Sequence, residues 1–124
     1  MKTSQTTCKE SIIHVREIIG SGNFVASEDG EKVSQAIAST ISRGQQVRLS
    51  FKGCKALTAA FLNAAVGQLY GRFPEECLDK LFLPPLDISR DDLLYLKRVR
   101  RSAQDYFRDP ERYHRAEKEV SEGE

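Results

Sequence analysis

In "SIIHVREII", apolar and polar residues alternate closely enough to predict a first strand, with Ile13 and Val15 on one side and Ile12 and His14 on the other. "GSGN" then supplies turn residues, and "FVA" is placed to return as a short strand, so a hairpin is expected. From residue 27 the period changes. "SEDGEKVSQAIASTISRG" predicts a helix capped by Ser27 or Asp29, with Val33, Ala36, Ile37 and Ile41 as its buried stripe. Gly44 suits the left-handed residue that ends it. "QVRLSF" is the clearest strand, with Val47, Leu49 and Phe51 on one face and Arg48 and Ser50 on the other.

A second helix is predicted over residues 58–70. A third strand is expected at "DKLFL", stopped by Pro84 and Pro85. The last helix, "SRDDLLYLKRVRRSAQDYF", has Ser89 as its cap and Asp91 and Asp92 in its first turn. Projection at about 100° per residue places Leu96, Val99, Ala103, Tyr106 and Phe107 on one face. Lys97, Arg101 and Arg108 fall opposite, flanked by Arg98 and Arg100. This order of elements predicts an α/β fold, a small mixed β-sheet with helices packed mainly on one face. Residues 1–11 are expected to be a flexible N-terminus, 12–108 the domain, and 109–124 a charged C-terminal tail.

Composition narrows the function without choosing it. The chain has 124 residues, a length that fits one domain. Its 19 basic and 18 acidic side chains nearly balance, so no global attraction to nucleic acid or to an acidic membrane is expected. No apolar run approaches the ~20 residues of a membrane span. "MKTSQTTCKES" lacks the apolar stretch of a secretory leader, and Cys8, Cys54 and Cys77 are an odd, widely spaced set. Reduced thiols in a cytoplasm are the expectation.

Little in the chain points to bond chemistry. His14, His114 and the cysteines have no spacing that converges on a metal, and no cofactor is expected. Neither Cys54 nor Cys77 has a base nearby in sequence. Gly20 and Gly22 lack the spacing of a phosphate loop and suit a turn. The pairs Glu75 and Glu76, and Asp91 and Asp92, are adjacent and would diverge on a helix rather than form a dyad. No enzyme is expected.

The second helix carries the informative pattern. Leu62, Ala65, Val66 and Leu69 make a large apolar side. Ala60, Ala64, Gly67 and Gly71 line up as a stripe of small residues, with Asn63 beside it. Such a stripe admits a close backbone, either a neighbouring helix of the same domain or a separate protein.

"VRLSFKGCKALTAAFLNAAVGQLYGRF", followed by "LDISRDDLLYLKRVRRSAQDYF", resembles the bacterial STAS-like domain of unknown function. The strand, the glycine after it, the T-x-x-F-L-N helix start and the Q-L-Y-G end carry the resemblance. It implies a fold similar to the STAS domains of anti-sigma-factor antagonists. Those domains bind ATPases of the histidine-kinase-like superfamily, and phosphorylation of a serine at the start of the helix after the central strand controls them. Members of the STAS-like family are also often encoded with such ATPases or fused to them.

Carried over by residue, Ser50 stands where the antagonists end the strand with aspartate, and Ala59 stands where they carry the phosphorylated serine. The usual switch therefore lacks its hydroxyl, and Thr58 is the neighbouring candidate phosphosite as well as a natural helix cap. The resemblance implies a non-catalytic regulatory module that docks a protein partner, possibly such an ATPase, through Lys52, Gly53, Lys55, Thr58, Ala59, Ala60 and Asn63. The rival expectation is a small nucleic-acid-associated protein using Lys97, Arg98, Arg100, Arg101 and Arg108, with Tyr95 placed to stack on a base.

Overall fold

The computed structural model describes residues 10–108. The expected N-terminal segment through residue 9 and the charged tail from residue 109, with His114 and Cys8, lie outside the described residues. The elements run β1 (Glu10–His14), α1 (Val15–Ile19), β2 (Asn23–Phe24), α2 (Ser27–Ser42), β3 (Gln46–Ser50), β4 (Ala56–Leu57), α3 (Ala59–Ala65), a 3-10 helix (Gly67–Gly71), α4 (Glu75–Leu81) and α5 (Arg90–Arg108). Glu10 and Ser11, expected in the loose N-terminus, already belong to β1. Arg48 donates to the Glu10 carboxylate at 2.9 Å, and Ser11 donates to Gln45 at 3.2 Å.

The α/β class holds, and the strand pairs run parallel where a mixed sheet was expected. β1 pairs with β3 from Glu10 opposite Gln46 to His14 opposite Ser50, and β2 pairs with β4. The expected hairpin does not form. Parallel neighbours need a crossover, and α2 provides it between β1 and β3. "SIIHVREII" is a strand only as far as His14. Val15, Ile18 and Ile19 also have helical spacing, and pairing with β3 stops at Ser50. The chain therefore winds into α1 with Val15 fully buried, and Gly20 closes the turn at φ +73°.

α2 follows the sequence reading. Val33, Ile37 and Ile41 are buried and Ala36 is half-buried. Its capping differs: Ala26 holds the cap position and no side chain caps the helix. Glu28 and Asp29 in the first turn still complement the dipole. Gly44 takes the left-handed conformation after the helix, at φ +75°.

Residues 79–83 do not make the third strand. Residues 79–81 complete α4, which follows its cap Pro74 and buries Leu78, and Phe82 and Leu83 lie beyond the helix, Phe82 in extended backbone. The chain then runs beside β3. Leu83 N–H donates to Val47 at 2.8 Å and Leu86 N–H to Leu49 at 2.8 Å. Only isolated bridges result, Phe82 with Val47 and Leu86 with Ser50. Pro84 and Pro85 lie between them and have no N–H to continue a ladder.

The helices form a stack. α2 lies on β3 and β1, α3 packs on α2, and α5 packs on α3 and the 3-10 helix. Phe24, Phe51 and Phe61 join β2, the end of β3 and α3 in the core, with ring centroids 5.9 Å apart for Phe24 and Phe51 and 5.5 Å for Phe24 and Phe61. Ser89 caps α5 as expected, its Oγ accepting from the Asp92 amide at 3.1 Å. Leu96, Val99 and Ala103 are its buried residues, with Tyr106 and Phe107 half-buried.

Candidate docking surface

The small-residue stripe serves two purposes. A Cβ built on Gly30 would stand 2.5 Å from the Phe61 carbonyl oxygen and 2.8 Å from the Ala64 Cβ. α2 and α3 therefore cross at backbone contact, with Ala64 buried in the crossing. Gly67 faces Ala103, and a Cβ on Gly71 would meet the Phe107 ring at 2.7 Å. The second half of the stripe thus packs inside the domain against α5. Ala60, at its start, and Asn63, beside it, are exposed.

The predicted continuous helix also breaks here, into α3 and the 3-10 helix about Val66. Valine and glycine are both weak helix formers. The tighter winding that follows accompanies burial of both Leu69 and Tyr70.

Thr58 is the cap of α3. Its Oγ1 accepts from the Phe61 amide at 3.1 Å and donates to the Val25 carbonyl at 2.7 Å. That bond ties the segment after β2 to the head of α3. Among the described residues Val25 is one of three large apolar side chains left exposed, at 41%. Sequence reasoning did not single it out, although the alternation Phe24 inward, Val25 outward carries the signal.

Ala60 and Asn63 line a groove of about 530 Å³ between α2 and α3, together with Ser27, Glu31, Gln35 and Arg72. The α2 contributors also escaped notice. Ser27, Glu31 and Gln35 repeat every fourth residue, which puts them on one face of a helix. Lys52 and Gly53 line a different groove, with His14 and Arg16. Lys55 is exposed and its stem packs beside Gly22. The residues grouped together from sequence thus occupy neighbouring segments but face more than one hollow.

Ser50 is buried and donates to Asp87 Oδ2 at 3.3 Å. Asp87, at φ +54°, thus brings an acidic side chain to the end of β3 from a distant loop. The Cys54 thiol donates to the Ala56 carbonyl at 3.5 Å, and burial, then the Asp92 charge, raises its pKa. Burial and the Asp92 charge oppose thiolate formation and outweigh the Ala56 backbone contribution, which favours it.

The basic face of α5 is divided. Arg100 donates to the Tyr70 hydroxyl at 2.8 Å and lies 4.8 Å from the Phe82 ring centroid. Arg108 forms a two-pronged pair with Glu75, at 2.8 and 2.6 Å. Lys97, Arg98 and Arg101 remain exposed, and Tyr95 is half-buried against the core. Among the described residues no group of three or more His, Cys, Asp or Glu side chains is placed to hold a metal ion. No described helix is long and apolar enough to cross a membrane.

Residues 29–84 match the family model of a STAS-like domain of unknown function. Over that segment, a little under half of its length, the chain is similar to the STAS-like family. The match spans most of α2, all of β3, α3 and α4, and both helices that flank the groove at Ala60. Comparisons with curated proteins and with solved structures found no match. A STAS-like domain suggests a regulatory protein-interaction role and is typically non-catalytic.

Proposed function

We propose that this STAS-like domain is a non-catalytic regulatory module that docks a protein partner through the head of α3. The partner class is an ATPase of the histidine-kinase-like superfamily, as the family resemblance implies. The contact surface comprises Thr58, Ala59, Ala60 and Asn63, extended by Val25 on one side and by Lys52, Gly53 and Lys55 on the other.

The observation that carries this reading is the Thr58 bond to Val25. It sets an exposed apolar side chain beside the exposed Ala60 and Asn63, which line the groove where α2 and α3 cross at backbone contact. A groove lined in part by small side chains suits docking by shape. The position matching the antagonists' phosphorylated serine is Ala59, so binding is not switched by that modification. Thr58 is the alternative phosphosite, and phosphorylating it would sacrifice the proton its hydroxyl donates to Val25.

Ala60→Arg tests the reading. The side chain adds bulk and charge at an exposed position, so the variant keeps the parent's circular dichroism and melting temperature. Its affinity for the candidate ATPase falls at least tenfold. Unchanged affinity, or an unfolded variant, defeats the reading. Incubation with ATP and the same ATPase leaves Thr58 unlabelled, and label mapped to Thr58 would show that a switch exists.

A further inference from the structure

We infer that the groove between α1 and the turn after β3 binds a small, multiply charged phosphate anion. His14, Arg16, Glu17, Gly20, Lys52 and Gly53 line it, around about 480 Å³. That volume falls within the range of roughly 300–1,000 Å³ found for small-ligand sites.

The cations here are unspent. Arg48 and Arg108 hold carboxylates, and Arg100 holds the Tyr70 hydroxyl. Among the described residues neither Arg16 nor Lys52 forms an ion pair. Glu17 is the one carboxylate lining the groove, and it lies beyond ion-pair distance of both.

Arg16 also lies close against Gly53. A Cβ built on Gly53 would stand 2.5 Å from Arg16 Nη1 and 2.7 Å from its Cδ. The arginine therefore lies across the bare face of the glycine, in the groove that Lys52 also lines. Gly53 is required for its φ of +79°, and its bare face leaves the space that the flexible end of Arg16 occupies. α1 and the turn after β3 are far apart in sequence, and the β1–β3 pairing brings them together, with His14 opposite Ser50.

The arrangement favours phosphate over a single carboxylate. Arg16 offers a planar fork and Lys52 a separate point charge, from two different segments. One carboxylate is satisfied by the fork alone. A pyrophosphate-like anion presents oxygens in several directions and can meet both cations at once.

The test is an amide-detected NMR titration of the full chain with inorganic pyrophosphate, at ionic strength held constant with sodium chloride. Saturable shifts at Gly20, Lys52 and Gly53 are expected. Arg16→Gln and Lys52→Gln each weaken binding at least fivefold. Both side chains are exposed; if Arg16→Gln disturbs the fold, Lys52→Gln decides alone. Linear, unsaturated shifts, or unchanged affinity in the folded variants, overturn the assignment. Tighter binding of a tetraglutamate peptide at the same amides overturns it in favour of an acidic protein segment. Ala60→Arg lies outside this groove and leaves the titration unchanged; Lys52 and Gly53 also edge the docking surface, so Arg16→Gln, which should leave affinity for the candidate ATPase unchanged, lets this proposal and the docking surface fail separately.

Discussion

The Thr58 hydroxyl joins two elements at once, donating to the Val25 carbonyl at 2.7 Å and accepting the Phe61 amide at 3.1 Å. Thr58→Ala removes both bonds. Loss of a cap costs about 0.5–2 kcal/mol, and loss of a further hydrogen bond about 0.5–1.5 kcal/mol. Urea unfolding should therefore show a destabilisation of roughly 1–3 kcal/mol. Thr58→Ser keeps the hydroxyl and recovers most of it. Equal stability of the alanine variant and the parent would show that these bonds do not matter in solution.

Gly30→Ala inserts a methyl group where two helices already touch. The obstructing atom is a backbone oxygen, which cannot swing away as a side-chain tip can. Overpacking of this kind costs about 1–3 kcal/mol, and the melting temperature falls accordingly. Gly44→Ala is the control. Nothing lies within 4 Å of its Cβ, so any loss there reflects backbone strain at positive φ rather than collision.

Tyr70→Phe removes the acceptor for Arg100 and leaves the ring. A loss of about 0.5–1.5 kcal/mol is expected. In a double-mutant cycle with Arg100→Met, the two losses should not add, because one contact is being counted twice. Additive losses would mean that the hydroxyl and the guanidinium act independently.

The exposed basic residues of α5 test the rival function. Short duplex DNA titrated at several salt concentrations should show no saturable binding near physiological salt. Steeply salt-dependent binding, abolished by combining Lys97→Glu, Arg98→Glu and Arg101→Glu, would favour nucleic acid over protein docking.

Acid should loosen two ion pairs. The hydrogen bond from Arg108 lowers the Glu75 pKa below its ordinary 4.5, and that from Arg48 does the same for Glu10. A lowered carboxyl pKa stabilises the fold fully above the ordinary value and ceases to do so as pH drops through the folded one. Both carboxylates are exposed to solvent screening, so the effect is small. Carbon-detected NMR titration of the glutamate carboxyls checks it: Arg108→Gln should raise the Glu75 midpoint and leave that of Glu10 in place.

The sequence was most legible where the deciding interactions are local. The Val33, Ile37 and Ile41 stripe, the alternation through Val47, Leu49 and Phe51, the cap at Ser89 and the left-handed turn at Gly44 are each specified by residues a few positions apart. It was least legible in short apolar runs. "HVREII" and "DKLFL" fit strand and helix alike, and the choice fell to pairing that ends at Ser50 and to Pro84 and Pro85, which deny β3 a continuous neighbour.

By itself, then, the sequence determined the class of fold, the inward faces of α2, β3 and α5, and the absence of a hydroxyl at Ala59. Tertiary structure decided which strands are neighbours, how the stripe of small residues is shared between core and surface, and which arginines keep their charge free. The reason is range. Periodicity records which way a side chain faces along its own element, whereas the approach of Gly30 to Phe61, or of Arg16 to Gly53, exists only when segments distant in the chain are packed together.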